Sequence, residues 1–322
     1  MNAPVKTQIP AQNMDIHKAS GASMREAFAA TVRGALDDDP RVAVVLAVIS
    51  GDKFRESGAR HPGRVIDVGI REQALVGVAG GLALTGVRPI VHSYAPFLVE
   101  RPFEQLKISL SHQGVGAILV GIGGSYDASF AGRTHQAPGD VAVLDSLPGW
   151  AVHVPGHPNE VRQLLLQEIP LDRPVYLRLS SEANRAPVPV SEKLTVVRRG
   201  SGRSTGVVVA VGPMLDRTLE ATAGLDVTVA YASTVRPFDR EGLNRIVAAA
   251  GSADVLVVEP YLEGTSAHEV SAALADRRHR QLGLGVSRTE ELRAYGTPEE
   301  HARAHGLDTE GIARAARDFF LV

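Results

Sequence analysis

Short apolar runs and longer helical segments alternate along this chain. Residues 42–48 form a continuous apolar run, which is typical of a parallel strand covered on both faces. Residues 71–85 are largely apolar and contain no proline, which predicts a buried helix. The other predicted strands are 89–91, 115–122, 151–154, 175–179, 206–211, 227–231 and 255–259. The other predicted helices are 24–36, 103–111, 158–168, 214–223, 240–250, 264–274 and 309–320.

The alternation occurs twice, which predicts two domains. The first helix is expected to begin after Ser23, because Ser23 and Glu26 have the spacing of a capping box. We expect a flexible arm over 1–19 and a first domain over 20–186. A linker rich in proline, glycine and basic residues follows over 187–204, and a second domain spans 205–322. Repeated strand–helix units imply an α/β fold with two doubly wound domains and mostly parallel sheets.

Composition excludes several classes of protein. The 322 residues carry a formal net charge of −2, which argues against a nucleic-acid-binding surface. The chain contains no cysteine, so disulfides, thiolate zinc sites and cysteine nucleophiles are excluded. The amino-terminal residues lack the apolar segment of a secretory signal, and no apolar run reaches the ~18 residues that a membrane span needs. We therefore expect a cytoplasmic protein that binds neither nucleic acid nor membranes.

No nucleotide-binding or metal-binding motif is complete. The glycines at 121–124 resemble a phosphate-binding loop, but Tyr126 stands where the third glycine is needed. His153 and His157 are four residues apart, yet a Pro-Gly pair between them prevents helical stacking of their rings. No metal site is predicted within this chain.

A carboxylate opens the predicted apolar helix. Glu72 lies in the first turn, where the helix dipole favours a negative charge, so capping alone can explain it. Gly77, Gly80 and Gly81 follow, and they allow another helix or backbone to approach closely. This pattern is typical of a tight subunit interface, and a well-packed monomer core could use it as well.

Two loops carry aromatic and basic side chains. Tyr94 and Phe97 follow a predicted strand, at the sheet edge where open α/β folds place ligands, so they either stack on a flat ring or fill the core. Arg133 and His135 lie in the glycine-flanked loop 132–140. A loop histidine is a candidate acid–base group, although a single one is more often a hydrogen-bonded surface residue.

Together these segments resemble the transketolase family. The resemblance is carried by GIREQALVGVAGGLALTG, by the aromatic loop with ERPFEQ, and by the RTHQ loop that precedes a strand and VPGHPNE. The second half is similar through VTVAYASTVRPFD and VLVVEP. The resemblance begins near residue 22 and implies a pyrimidine-binding domain followed by a carboxy-terminal domain, as in transketolase and 1-deoxyxylulose-5-phosphate synthase.

The resemblance implies roles for five residues beside thiamine diphosphate. Glu72 matches the glutamate that touches N1′ of the aminopyrimidine. A carboxyl group that shares a proton with N1′ favours the imino tautomer, whose nitrogen can then remove the thiazolium C2 proton. Tyr94, Phe97 and Phe103 are expected to wall the pyrimidine ring, and His135 is expected to hydrogen-bond the oxygens of the donor substrate.

One half of the family's cofactor site has no match in this sequence. Full-length members hold magnesium and the diphosphate with a Gly-Asp-Gly motif and a later asparagine, whereas the Gly-Asp pairs at 51–52 and 139–140 lack the third glycine. The resemblance therefore implies the carboxy-terminal subunit of a split transketolase. An amino-terminal subunit is expected to hold Mg²⁺ and the diphosphate, and two copies of each chain would form an α2β2 assembly.

Two departures from the family concern the substrate site. The arginine that members acting on sugar phosphates place after one strand is Ser181 here, and Arg178 lies three positions earlier. The aspartate that commonly precedes the His-Gln pair by four residues is Ala131 here. The candidate substrate-binding residues are Arg133, His135, Asp127 and Arg178.

The leading hypothesis is transfer of a two-carbon ketol unit between a ketose and an aldose. A 2-oxo-acid dehydrogenase beta-type subunit or a deoxyxylulose-type synthase subunit is the alternative within the same fold. A non-catalytic module that kept the fold is the alternative of a different class, although such a module needs neither Glu72 nor His135. A neighbouring gene product with Gly-Asp-Gly would favour the enzyme.

Overall fold

Two β-sheets with helices packed against them organise the chain, whose computed structural model describes residues 23–201 and 203–321. The strands are β1 Val42–Leu46, β2 Val65–Asp67, β3 Arg88–Tyr94, β4 Ile118–Ile122, β5 Ala151–His153, β6 Val175–Arg178, β7 Thr195–Arg198, β8 Gly206–Val211, β9 Val227–Ala232, β10 Thr234–Arg236, β11 Asp254–Leu262 and β12 Arg280–Val286. The helices are α1 Met24–Asp38, α2 Gly51–Arg60, α3 Glu72–Leu84, α4 Phe103–Gln105, α5 Asp140–Leu144, α6 Pro158–Glu168, α7 Leu215–Ala221, α8 Arg240–Ala250, α9 Ala267–Ala273, α10 Pro298–Ala304 and α11 Thr309–Phe320. The expected α/β fold is confirmed, and the arm expected over 1–19 lies outside the described residues.

The first sheet has seven strands in the order β10-β5-β6-β4-β3-β1-β2, and every neighbouring pair except β10–β5 is parallel. All five residues of β1 are buried, because β1 lies between two other strands and beneath helices on both faces. Val44 pairs with Ile90 on one side and with Val65 on the other. The carboxyl ends of β3 and β4 therefore meet at one edge, where the candidate site lies.

The first helix begins where the sequence predicts. Ser23 Oγ accepts a hydrogen bond from the Glu26 N–H, and the Glu26 carboxylate accepts one from the Ser23 N–H at 2.7 Å, which completes the capping box. The helix continues to Asp38, two residues past the predicted end. Phe28 and Leu36 are fully buried and join the core of the first sheet.

The second sheet has five strands in the order β12-β11-β8-β9-β7. Its central strands are parallel, whereas β7 pairs antiparallel with β9, with Thr195 opposite Tyr231. Strand β7 falls inside 187–204, the segment expected to be a linker. All four residues of β7 are half-buried, so this strand does not need the continuous apolar run of a central strand. Because that run is absent, the sequence does not reveal the strand.

The two halves of the chain share one sheet. Strand β10, from the second half, pairs antiparallel with β5 at the edge of the first sheet, with Thr234 opposite His153. The buried Arg236 guanidinium donates to both carboxylate oxygens of Asp145, from Nη2 at 2.8 Å. One hydrophobic core also includes residues of both sheets. The two halves are therefore joined by backbone pairing, an ion pair and a shared core.

Several elements differ from the sequence prediction. The helix expected over 103–111 is a short α4 that continues as a π-helical turn, Leu106–Ser111, and a second π-helical turn spans Pro96–Glu100. The sequence did not predict six further elements: α2, which is polar, β12, which contains glycines, the short β2, α5 and β10, and α10. Within residues 23–201 and 203–321, no helix has both the length and the apolar character needed to cross a membrane.

Candidate active site

Glu72 is the first residue of α3 and is nearly inaccessible. The chain reaches it through a turn at Gly69, whose φ of 70° favours glycine. The Arg101 guanidinium donates from Nη1 to Glu72 Oε2 at 2.7 Å, and only 4% of the Glu72 side chain is exposed. A nearly buried carboxylate is thus held by one partly exposed arginine.

A pair of aromatic rings is connected to this carboxylate through Arg101. Tyr94 ends β3, and Phe97 belongs to the π-helical turn that follows. Their centroids are 6.1 Å apart in an edge-to-face arrangement. The Arg101 guanidinium carbon lies 4.2 Å from the Phe97 centroid, within the range of a cation–π contact. Arg101 therefore connects Glu72 to the aromatic pair.

The His135 ring completes the cluster. It belongs to the short 3-10 turn Arg133–His135 and lies 5.5 Å from Tyr94 and 5.1 Å from Phe97, centroid to centroid. Its Nδ1 is 2.9 Å from Thr134 Oγ1, so the neighbouring hydroxyl is placed to fix the orientation of the ring. We call Glu72, Tyr94, Phe97 and His135 the site cluster.

Phe103 lies outside the site cluster. It begins α4, is half-buried, and packs against the hydrophobic core that both halves of the chain share.

Asp127 and Arg178 are buried and hydrogen-bonded within the protein. The Arg178 side chain is 1% exposed, and it donates from Nε to Asp140 Oδ2 at 2.8 Å and from Nη2 to Ser125 Oγ at 2.6 Å. Asp127 accepts a hydrogen bond from the Ser181 N–H at 2.9 Å, and burial raises its pKa. These partners occupy both side chains, and the expectation that either one binds substrate stays a prediction.

Arg133 remains at the surface beside the site cluster. Its side chain is 41% exposed, and its Nε donates to Glu291 Oε1 at 2.8 Å. Its Nη1 donates to the Gln136 carbonyl at 2.7 Å. Sequence reasoning missed both Glu291 and Arg101, because each contact joins segments that are far apart in the chain. Only Arg101 carried a signal, since it lies in the aromatic loop itself.

No metal centre accompanies this cluster in the described part of the chain. Across residues 23–201 and 203–321, no three His, Cys, Asp or Glu side chains gather in a way that could hold a metal ion.

Family models match both halves of the chain. The pyrimidine-binding domain of transketolase matches residues 20–186, and the transketolase C-terminal domain matches residues 196–312. The chain belongs to the transketolase family. The site cluster lies entirely within the pyrimidine-binding match.

Three relatives of this transketolase-family chain cover between 65% and 93% of it. It is 52% identical to an uncharacterized 33.6 kDa protein of the fasciation locus of Rhodococcoides fascians, over 92% of this chain and 94% of that one. It is 33% identical to 1-deoxy-D-xylulose-5-phosphate synthase 2 of Geobacter sulfurreducens, over 93% of this chain and 49% of that one. It is 31% identical to a 6-deoxy-6-sulfo-D-fructose transketolase subunit of a Clostridium species, over 65% of this chain and 67% of that one.

Solved structures share the fold. A split-gene transketolase, in an inactive β4 tetramer, matches with a TM-score of 0.77 at 24% identity and covers 94% of this chain and 99% of that one. Transketolase from Leishmania mexicana matches with a TM-score of 0.73 at 20% identity over 94% of this chain and 46% of that one. The chain thus spans about half the length of the synthases and of the Leishmania enzyme that it matches.

Proposed function

We propose that this chain is the carboxy-terminal subunit of a split, thiamine-diphosphate-dependent transketolase, which transfers a two-carbon ketol unit between a ketose and an aldose. The observation that carries the proposal is that Arg101 joins Glu72, at the start of α3, to the Phe97 ring, which packs with Tyr94 and His135. The 31% identity to a subunit of 6-deoxy-6-sulfo-D-fructose transketolase supports a subunit role.

The site cluster fits one end of the proposed cofactor. A carboxylate joined through Arg101 to two rings that meet edge to face suits an aminopyrimidine, which has a flat face and a ring nitrogen that accepts a proton. When bound, thiamine diphosphate would supply an acidic thiazolium carbon. Glu72 would hold a proton at the pyrimidine N1′, and Arg101 keeps the carboxylate near the Phe97 ring.

His135 is proposed to act on the substrate. Its ring is half-buried, and it packs against both aromatic rings rather than against the protein core. From there it donates a hydrogen bond to carbonyl or hydroxyl oxygens of the sugar as negative charge develops on them. Phe103, which packs on the core, is not given a role at the ring.

A partner subunit is part of the proposal. The diphosphate and Mg²⁺ would be held by an amino-terminal subunit, with two copies of each chain in a closed α2β2 assembly. The absence of a complete Gly-Asp-Gly motif from this sequence supports this division. We place the assembly in the cytoplasm.

A deoxyxylulose-type synthase subunit is the second candidate. The specific observation in its favour is the 33% identity to 1-deoxy-D-xylulose-5-phosphate synthases over more than nine-tenths of this chain. The two reactions differ in the donor, which is a ketose in one and pyruvate in the other.

The test is reconstitution with the product of the adjacent gene. The two chains are copurified and assayed with thiamine diphosphate, Mg²⁺ and a panel of ketose donors and aldose acceptors, with pyruvate as the alternative donor. We expect turnover of a ketose and no consumption of pyruvate. Consumption of pyruvate alone would favour the synthase, and the absence of turnover with either donor would overturn both assignments.

A further inference from the structure

The second half of the chain reaches the loop that carries Arg133 and His135. We call residues 287–297, which connect β12 to α10, the strap. Ser129 Oγ donates to the strap carbonyl of Gly296 at 2.9 Å. A Cβ added to Gly132 would lie 2.9 Å from the Tyr295 ring, so this strap tyrosine packs directly on the loop. The ion pair between Arg133 and Glu291 is the third contact.

This ion pair occupies the Nε of Arg133. Arg133 Nε donates to Glu291 Oε1 at 2.8 Å, and the other carboxylate oxygen lies 3.2 Å from Arg293 Nε. The Nη1 of Arg133 donates to the Gln136 carbonyl at 2.7 Å. A guanidinium fork is well suited to a phosphate or carboxylate of a ligand, and here a carboxylate of the same chain takes that place.

The pair is accessible to a ligand, whereas another arginine near the same loop is not. The side chains of Arg133 and Glu291 are 41% and 46% exposed. Arg178 is 1% exposed and paired with Asp140. After β6, where the family resemblance implies an arginine, Ser181 donates its N–H to Asp127. Of Arg133 and Arg178, Arg133 is thus the one that a substrate can meet, and its Nε already binds Glu291.

We propose that Glu291 is a specificity-determining residue, which neutralises Arg133 and thereby selects uncharged sugars over their phosphorylated counterparts. The proposal rests on the proposed function for the place where the sugar binds. A phosphorylated acceptor meets a guanidinium whose Nε already binds Glu291, so it gains little from that arginine. An uncharged acceptor needs no cationic partner, and the strap keeps the loop in place around it.

The first test compares acceptors in the reconstituted enzyme. Glu291→Gln removes the charge and keeps the size, so it should raise kcat/KM for glyceraldehyde 3-phosphate relative to glyceraldehyde by about tenfold. Glu290→Gln is the matched control, because Glu290 is the adjacent exposed acid and binds Ser287 only through its backbone N–H. We expect less than a twofold change in the ratio for this control.

The effect must pass through Arg133. In Arg133→Gln the further change Glu291→Gln should leave the ratio of the two acceptors unchanged, because no guanidinium remains to be released. A ratio that is unchanged in Glu291→Gln, or that changes equally in Glu290→Gln, overturns the proposal. Wild-type enzyme that already prefers the phosphorylated acceptor overturns it as well.

A second test needs neither the partner nor turnover. The arginine Nε–H signals of the isolated chain are followed by NMR during titration with inorganic phosphate, and Arg133→Gln identifies the signal of Arg133. We expect that signal to move in Glu291→Gln and to stay in place in wild type and Glu290→Gln, with all variants melting at the wild-type temperature. If the signal moves equally in wild type, Glu291 does not block Arg133, whatever reaction the assembly catalyses.

Discussion

The Glu72 carboxylate accepts a hydrogen bond from Arg101, and its side chain is almost completely buried. We predict that Glu72→Gln lowers kcat of the reconstituted enzyme at least about 100-fold, because an amide cannot share a proton with a ring nitrogen. Folding should be unaffected, since the amide oxygen can still accept from Arg101. The measurements are kcat with the sugar panel and the melting temperature.

The exposed Glu104 provides the control for this change. Glu104 pairs with Lys107 on the surface of the same region, and Glu104→Gln should leave kcat within about twofold of wild type. Near-normal activity of Glu72→Gln would show that the assignment of Glu72 is wrong.

A second carboxylate, Glu259, gives stability a pH dependence. It lies in β11, where one oxygen accepts from the Ser266 N–H at 3.0 Å and the other is buried without a partner. Burial raises the pKa of Glu259 to about 8, against the opposing effects of the Ser266 hydrogen bond and of the charges of Arg236 and Arg288. The folded protein therefore keeps a proton that the unfolded chain releases near pH 4.5, the usual value.

The sign of the effect follows from this raised pKa. The contribution of Glu259 to stability is fully present below about pH 4.5 and is lost as the pH rises to about 8. We predict that the free energy of unfolding of Glu259→Gln, relative to wild type, increases by about 2 kcal/mol or more between pH 5 and 8. Denaturant titrations at several pH values measure it. The exposed Glu220→Gln should show no trend, and a decrease in Glu259→Gln would contradict the prediction.

The site residues that sequence reasoning could find share a local signal. Tyr94, Phe97 and His135 follow strands of a parallel sheet, so topology alone brings them to one edge. The direction of a buried side chain depends on a partner elsewhere in the chain. Arg178 turns inward because α5 supplies Asp140, and no motif in the sequence announces that pair.

At the scale of one element, α3 presents a face of small and apolar residues to solvent. Gly77 and Gly81 are exposed and a Cβ at either meets nothing within 4 Å, while the neighbouring Ile70 and Leu84 are 74% and 58% exposed. Gly77, Gly81 and Leu84 are separated by four and three residues, so they line one side of the helix. An apolar face of this kind commonly marks an interface.

We predict that Gly77→Glu and Gly81→Glu prevent assembly and leave the single chain folded. Each substitution adds a charge where the partner would pack. Each also replaces a glycine inside a helix, and such a glycine destabilises the helix by about 1 kcal/mol relative to alanine. The melting temperature of the isolated chain should therefore stay the same or rise, while light scattering of the mixed subunits shows no complex. A normal complex with either variant would contradict the proposed interface.

Gly80 is the contrasting position in the same helix. A Cβ there would lie 2.5 Å from the Ser109 carbonyl oxygen, so the backbone would have to move. Gly80→Ala should lower the free energy of unfolding of the isolated chain by about 1–3 kcal/mol, as overpacking does. Denaturant unfolding measures it, and a stability equal to wild type would show that this contact is loose.

The sequence predicts a strand best where both faces of that strand are buried, because such a strand must be a continuous run of apolar residues. Strands β1, β8 and β9 are buried along their whole length, and their sequences are apolar or nearly so. Strand β12, which pairs with β11, begins with two exposed residues and contains two glycines. Its sequence therefore lacks the apolar run that would predict a strand. The π-helical turns also follow the local α-helical pattern, and the sequence does not distinguish them from it.

At the scale of the whole molecule, we predict that the isolated chain binds thiamine diphosphate weakly. The site cluster offers contacts to the pyrimidine end alone, so most of the anionic half of the ligand would remain in water. Calorimetry should give an affinity at least about 100-fold lower than that of the reconstituted assembly. Tight, magnesium-dependent binding by the chain alone would overturn the division between two subunits.

Strand β10 has a consequence for how a gene of this kind can be divided. An interruption within 187–204 would separate β10 from β5 and Arg236 from Asp145. The shortened product would expose an unpaired strand edge, which is a template for aggregation, and a partly buried aspartate without its counter-ion. Fission at that point would therefore harm both products, so these two halves are expected to be inherited together.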